Sequence, residues 1–156
     1  MIYKFEIKEE IVMKRVSLAT AYMATRRSAA EAAKAYDNIA VTIEDWEILK
    51  DFLVNACNEL TAFIQKYVIA RTSVDDEGND GNLSRFDYEL SMPSNWDFKK
   101  VDIAKAALEF VVESVLAKWL AIAEKDNVQA HADLAKAQLD LIAIGIHSRR
   151  RPIRNF

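Results

Sequence analysis

Two histidines and two glutamates could provide acid–base or metal chemistry in this sequence. His131 and His147 lie sixteen residues apart in one helical pattern, and neither has an acidic residue three or four positions before it. The Glu-x-x-His spacing of helical di-iron sites is therefore missing. Glu109 and Glu113 are four residues apart, so both carboxylates lie on one helix face. Because Lys105 precedes Glu109 by four residues, we interpret this row as a solvated charged stripe rather than an acid–base pair.

Other motifs give no stronger indication of chemistry. The acidic segment "SVDDEGNDGN" resembles a calcium loop that starts at Asp76, with Asp80 at the fifth place, but its third place is Gly78, which has no ligand. There is no glycine-rich phosphate loop, no Cys/His metal spacing and no nucleophile elbow. The single cysteine, Cys57, lies in an apolar stretch and is predicted to be a buried thiol in a reducing compartment. We therefore predict a protein that is not an enzyme and has no cofactor or metal.

The C-terminal segment "HSRRRPIRNF" concentrates positive charge in an otherwise acidic chain. The net charge of the whole chain is -3, from 21 basic and 24 acidic residues. Without the four arginines of this segment, 17 basic residues remain against 24 acidic ones, which gives a net charge of -7. Pro152 stops the preceding helix and favours an extended backbone. We predict an arm over residues 149–156 whose binding side chains are Arg149, Arg150, Arg151, Ile153, Arg154 and Phe156. The alternative is that the arginines cap the dipole of the last helix and end in solvent.

The arm predicts that the protein binds a partner, but its residues fit more than one kind of partner. It could add to a neighbouring subunit or meet phosphates. Since the acidic remainder of the chain repels DNA, an acidic protein partner suits the charge distribution better. Trp96 and Phe98, in the segment before the third long helix, are further candidate interface residues.

The elements that must position these residues follow from hydrophobic periodicity. Alternation of apolar and charged residues predicts strands over 3–8 and 85–92. Helical spacing predicts long helices over 9–26, 46–67, 101–124 and 128–146, and "SAAEAAKAYDNIAV" a short helix followed by a loop. Thr42 and Asp45 resemble a capping box before the second of the long helices. In the first helix, Ile11, Leu18 and Tyr22 are interpreted as a widening of the buried stripe.

These elements predict a mainly α fold: an antiparallel bundle of about four helices with a small β ribbon and an extended basic C-terminal arm. A chain of 156 residues fits one domain, 1–148, with a mobile loop at 73–83 and the arm at 149–156. The ribbon would pair 85–92 with the opening strand or with residues near 68–72. No stretch is long and apolar enough to span a membrane. Helices three and four are apolar beyond one stripe, which implies deep burial or a second interface.

The order of these features resembles a known group of proteins. The segments "KEEIVMKRVSLATAYMATR", "FDYELSMPSNWD", "VVESVLAKWL" and "RRRPIR" resemble small helical proteins encoded in the virion-structure regions of tailed phages and prophages of Bacteroides-type hosts. The resemblance implies a head-tail connector or neck ring subunit, present in the virion and in the host cytoplasm during assembly. Its partners would be copies of itself in a cyclic oligomer, the portal, and other neck and tail proteins. Whether the arginine tail contacts DNA or protein stays open.

A second hypothesis belongs to a different class. The chain could be a soluble regulatory or binding module that recognises a small ligand or a host protein in a groove between helices. Such a groove would be lined by aromatic residues such as Trp96, Phe98 and Phe110. This hypothesis predicts a monomer or dimer, whereas the connector hypothesis predicts a ring.

Overall fold

A computed structural model describes residues 1–25, 39–75, 84–123 and 127–152. These ranges are mostly helical and include a small antiparallel sheet, as the sequence predicted. The elements in chain order are β1 (Ile2–Lys8), α1 (Glu9–Thr25), a single 3₁₀ turn (Ile43–Asp45), α2 (Trp46–Phe63), β2 (Val68–Asp75), β3 (Ser84–Ser91), α3 (Ile103–Ala123) and α4 (Val128–His147). No helix within the described ranges is long and apolar enough to cross a membrane.

The predicted ribbon is a three-stranded sheet in the order β1-β3-β2. Both candidate partners of β3 pair with it, β1 with Phe5 opposite Tyr88 and β2 with Arg71 opposite Tyr88. One face of the sheet is buried, and there the rings of Phe5 and Tyr88 stack with their centroids 4.9 Å apart. The other face carries alternating charges that pair across and along the strands, such as Lys4 with Glu89 and Arg85 with Asp87. The sheet therefore satisfies its own polar face.

Helix α3 is the centre of the core. It contacts α1, α2, α4 and β1, and eleven of its residues are buried. The indole of Trp119 donates a hydrogen bond to the backbone oxygen of Ile39 at 2.7 Å, which joins the segment before α2 to α3. Of the two explanations for the broad apolar surface of α3, deep burial is the one the fold shows. Ile122, predicted on the main stripe, is the exception, because it is exposed near the end of the helix.

Helices α3 and α4 run antiparallel. They are joined by the short connection 124–127, and at their other ends Gly145 of α4 lies against Val101 and Ile103. A Cβ at Gly145 would lie 3.0 Å from the Cβ of Val101 and 3.1 Å from a side-chain carbon of Ile103. The glycine therefore allows the close approach of the last turn of α4 to the start of α3.

Two elements have different bounds from those predicted from the sequence. Helix α2 ends at Phe63 rather than at residue 67, because the backbone turns there and enters β2 at Val68. Residues 73–75, predicted as part of a loop, extend β2 because the backbone of β3 offers them partners, with Ser73 opposite Phe86. The rest of that loop, 76–83, and most of the short helix predicted after Arg27 lie outside the described residues, as does the end of the arm, 153–156.

Candidate functional site

Glu109, Glu113 and His131, which the sequence suggested for chemistry, form contacts that join three helices. The guanidinium of Arg15 on α1 donates two hydrogen bonds to the carboxylate of Glu109 on α3, at 2.6 and 2.8 Å. One turn further along α3, the carboxylate of Glu113 lies 2.6 Å from Nδ1 of His131 on α4. These four residues form what we call the polar clasp. The prediction of a solvated charged stripe was wrong, because each carboxylate is partly buried and paired with a neighbouring helix.

The electrostatics of the clasp favour a structural role. The two hydrogen bonds from Arg15 lower the pKa of Glu109, so this carboxyl group is ionised near neutral pH. An ionised carboxylate held by a bidentate guanidinium has no proton to give, and its oxygens are already engaged. Within the described residues, no group of three or more His, Cys, Asp or Glu side chains could hold a metal ion. The clasp links α1 and α4 to α3.

The other candidates for chemistry lie apart from the clasp. His147 is at the end of α4, where Nδ1 lies 3.4 Å from the hydroxyl of Tyr67. Cys57 is fully buried, as predicted, and burial raises the pKa of its thiol to about 11. A thiol with such a pKa is protonated near neutral pH and is a poor nucleophile. The structure therefore brings none of these groups together into a reactive site among the residues it describes.

Helix α1 carries an apolar stripe that is exposed within the part of the chain that the structure describes. Ile11, Leu18 and Tyr22 are exposed, with Leu18 at 62% and Tyr22 at 59% of their full surface. They lie on one face because their spacings are seven and four residues, and the exposed Lys14 lies on the same side. The expectation that these residues widen the buried stripe was wrong. The sheet and α3 contact the opposite face of α1, where Val12, Met13 and Val16 are buried.

Helix α4 carries a second uncovered stripe. Its buried face holds Ala135, Ile142 and Ile146, as the periodicity predicted. The opposite face presents apolar residues at alternating spacings of four and three, all of them exposed: Ala130, Leu134, Ala137, Leu141 and Ile144. This is the spacing of a coiled-coil seam. The acidic residues Asp133 and Asp140 border the seam on one side.

The predicted arm begins as a segment held by its own subunit. The backbone N–H of Arg150 donates to the backbone oxygen of Asn95 at 2.7 Å, and that of Asp97 donates to Ser148 at 3.1 Å. Trp96 and Arg149 thereby form an antiparallel bridge. The guanidinium of Arg149 donates to the backbone oxygens of Ile146 and Ser148, so this arginine does cap the last turn of α4.

Trp96 and Phe98 have different environments, although the sequence suggested both as interface residues. The side chain of Trp96 is 1% exposed, its indole donates to the backbone oxygen of Gly145 at 2.8 Å, and its ring packs edge-on against Tyr3. Its assignment to a surface is therefore wrong, because the indole fills the space between the sheet and the end of α4. Phe98 is 42% exposed and lies beneath the guanidinium of Arg150, 5.1 Å from the ring centroid.

Comparison with known proteins gives no match. No family model, no curated protein and no solved structure is significantly similar to this chain.

The ligand groove of the second hypothesis is not formed by the residues proposed for it. Trp96 and Phe110 are both buried in the core, so of the three aromatic side chains only Phe98 reaches the surface. A shallow depression on the outer face of the sheet is lined mainly by charged residues, among them Lys4, Glu6 and Arg85, which pair with neighbouring charges on the same face. These surfaces offer a small apolar ligand no enclosed pocket.

The partners in the clasp and the cations beside Phe98 were not predicted from the sequence. The available signal for the clasp was the pair Glu109 and Glu113 on a helix most of whose other residues are apolar. Two ionised groups on such a helix require partners from outside it. Lys99 and Lys100, directly after Phe98, form a basic pair that the periodicity analysis did not use.

Proposed function

We propose that the protein is a non-enzymatic structural subunit that assembles into a cyclic homo-oligomer. In this proposal the four helices form an antiparallel bundle, and the α1 stripe of one copy packs against the α4 stripe of the next. The resemblance of the sequence to virion proteins of tailed phages supports the more specific role of a head-tail connector or neck ring subunit. The portal and other neck and tail proteins would then be its neighbours.

The observation that supports assembly is the uncovered seam on α4. A helix whose apolar residues repeat at spacings of four and three on an exposed face has the pattern of a helix that packs against another helix. The subunit supplies no helix for that face within the described residues, since the apolar side chains of that face are exposed. A second copy supplies one in the form of the α1 stripe, Ile11, Leu18 and Tyr22.

The charges next to the two stripes are complementary. Lys14 accompanies the α1 stripe, and Asp133 and Asp140 border the α4 seam. Within the described residues, neither Lys14 nor Asp140 makes an ion pair. Two α4 seams face to face in antiparallel orientation would place aspartates opposite aspartates. The charges therefore favour α1 against α4 over α4 against itself.

The size of the stripes favours a ring over an isolated pair. Burying the exposed part of one large apolar side chain contributes about 1 kcal/mol, so the six large residues of the two stripes contribute about 6 kcal/mol. The loss of translational and rotational freedom costs about the same or more, at roughly 4–15 kcal/mol. A single contact is therefore weak. In a closed ring every copy makes two contacts, and a head-to-tail contact uses two different surfaces, as the stripes require.

The residues after Pro152 would extend each contact to the neighbouring subunit. Residues 148–150 fix the start of the arm on the segment 95–97, so the arm leaves the subunit from a defined point. The side chains available beyond it are Ile153, Arg154 and Phe156, which alternate apolar and basic character.

The test is the native mass of three proteins, measured by light scattering over a concentration series, with circular dichroism as a check of folding. Wild type should form one closed oligomer, visible as rings by negative-stain microscopy. Leu141→Asp should remain folded and monomeric, because a charge at the centre of the seam disrupts the contact. The matched control is Ile122→Asp, which changes a more exposed apolar residue outside both stripes and should keep the wild-type mass.

Two results would contradict the proposal. One is a wild-type protein that stays monomeric at every concentration. The other is a folded Leu141→Asp variant with the mass of wild type, which would show that the seam is not the contact.

A further inference from the structure

One end of the molecule gathers cations that make no ion pair among the residues the structure describes. Lys99 and Lys100 precede α3, and Arg149, Arg150 and Arg151 follow α4; together we call them the basic end. The hydrogen bonds between 95–97 and 148–150 hold the two segments side by side. None of the five makes an ion pair within the described residues, although six other cations do: Lys4, Lys8, Arg15, Lys50, Arg85 and Lys118.

The acidic residues nearest in sequence, Asp97 and Asp102, make no ion pair with the basic end. The carboxylate of Asp97 accepts a hydrogen bond from the backbone N–H of Lys99 at 3.2 Å, and that of Asp102 accepts one from the backbone of Lys105 at 3.1 Å. Both carboxylates therefore accept hydrogen bonds from backbone N–H groups, one before α3 and one in its first turn. Five like charges that repel one another are stabilised by an external polyanion.

Phe98 gives the basic end a flat apolar surface between its cations. The guanidinium of Arg150 lies over the ring, 5.1 Å from its centroid, and the ammonium of Lys99 lies 5.9 Å from it. The contact with the ring orients the guanidinium, whose N–H groups can pair with phosphate oxygens. The exposed remainder of the ring and the guanidinium plane are surfaces on which a nucleobase can stack.

We propose that the basic end binds a single-stranded nucleic acid, with its phosphates on the five cations and a base against Phe98. A carboxylate-rich protein could use the cations, but its acidic side chains have no flat face to stack on the exposed ring. A duplex could use the cations too, but its bases are stacked within the helix and do not reach the ring. The aromatic side chain is therefore what favours a single strand. This inference does not depend on the assembly of the subunit through α1 and α4.

The experiment measures binding of a fluorescent single-stranded oligonucleotide of mixed sequence by anisotropy, across a series of salt concentrations. A ligand that contacts all five cations gives a slope of log K against log salt of about -3.5. The Lys99→Ala/Lys100→Ala variant should flatten that slope by about 1.4 and weaken binding on the order of tenfold or more at about 50 mM salt. The control Lys4→Ala/Lys8→Ala removes two lysines that are paired on the sheet and should bind like wild type.

A second variant tests the role of the ring. Phe98→Leu keeps the charges and an apolar side chain, and it should remove the preference for the single strand over a duplex of the same sequence. Three outcomes would overturn the proposal: no salt-dependent binding, equal binding of wild type and Lys99→Ala/Lys100→Ala, or equal binding of a poly-glutamate peptide of the same charge. The last result would instead indicate an acidic protein partner.

Discussion

Helices α3 and α4 are both apolar on more than one face, but the fold covers nearly all of these faces only in α3. Buried residues of α3 point in nearly every direction, because α1, α2, α4 and the sheet surround it. In α4 one face packs on α3 and the opposite face leaves Leu134, Leu141 and Ile144 exposed. Surplus apolar surface in a sequence therefore has two different meanings. In α3 it builds the core of the subunit, and in α4 it is available to another molecule.

The largest effect we expect distinguishes the two helices by the same substitution. Leu120→Ala in α3 removes a fully buried side chain and should lower the free energy of unfolding by about 2–5 kcal/mol. Leu134→Ala in α4 removes a side chain that is only about half covered and should change the free energy of unfolding by less than about 1 kcal/mol. Urea denaturation of the dilute monomer measures both. Equal losses of stability in the two variants would show that Leu120 and Leu134 are covered to the same extent.

The covered face of α4 can be tested at its last turn. Trp96→Phe removes the indole N–H that donates to the backbone oxygen of Gly145 and leaves that oxygen only the longer hydrogen bond from the backbone N–H of Ser148, at 3.3 Å. The free energy of unfolding should fall by about 1–3 kcal/mol, from the lost hydrogen bond and the smaller buried ring. Trp46→Phe is the control, because Trp46 is only half-buried and its indole has no hydrogen bond among the described residues. Similar stabilities of the two variants would count against the hydrogen bond to Gly145.

The open face of α4 can be tested through its charges. Lys14→Asp and Asp140→Lys should each weaken oligomer formation, by up to about 1 kcal/mol per contact for an exposed pair. The double variant should recover most of the loss, because the charges are exchanged across the same contact. Sedimentation at several salt concentrations measures the effect. Additive losses in the double variant would place Lys14 and Asp140 at separate surfaces.

The smallest effect concerns the polar edge of α3. Because Arg15 lowers the pKa of Glu109, the folded state is favoured above the unfolded pKa of glutamate, about 4.3, and this contribution is lost as the pH falls through the folded pKa. Glu109→Gln should be less stable than wild type at neutral pH, and the difference should shrink in acid. In an Arg15→Gln background, Glu109→Gln should lower the free energy of unfolding by a smaller amount. A difference that is constant with pH would refute the contribution of the ion pair.

Local periodicity was sufficient to predict much of the fold. It placed β1, β3, α3 and α4 to within about two residues at most ends, and it identified the buried face of α4 with Leu134 and Leu141 to its side. It also predicted that Cys57 is buried. These features depend on spacing along the chain, which a single sequence contains.

The remaining features depend on contacts between distant residues. Which apolar face is covered depends on neighbouring elements, and so Ile11, Leu18 and Tyr22 were assigned to the core although they are exposed. The partners of Glu109 and Glu113 lie on other helices. The proximity of Lys99 to Arg150 requires the antiparallel packing of α3 and α4, which brings two distant segments to the same end.

The most direct test of head-to-tail assembly is a mixing experiment. Leu18→Asp disables the α1 stripe and Leu141→Asp disables the α4 stripe, so each variant should be a monomer alone. In an equimolar mixture, each molecule of one variant keeps the surface that the other has lost, so one contact can form. Because a single contact is weak, the mean mass should rise with protein concentration towards that of a 1:1 dimer, which cannot grow further. A mixture that stays monomeric at every concentration, or single variants that keep the wild-type mass, would contradict assembly through α1 and α4.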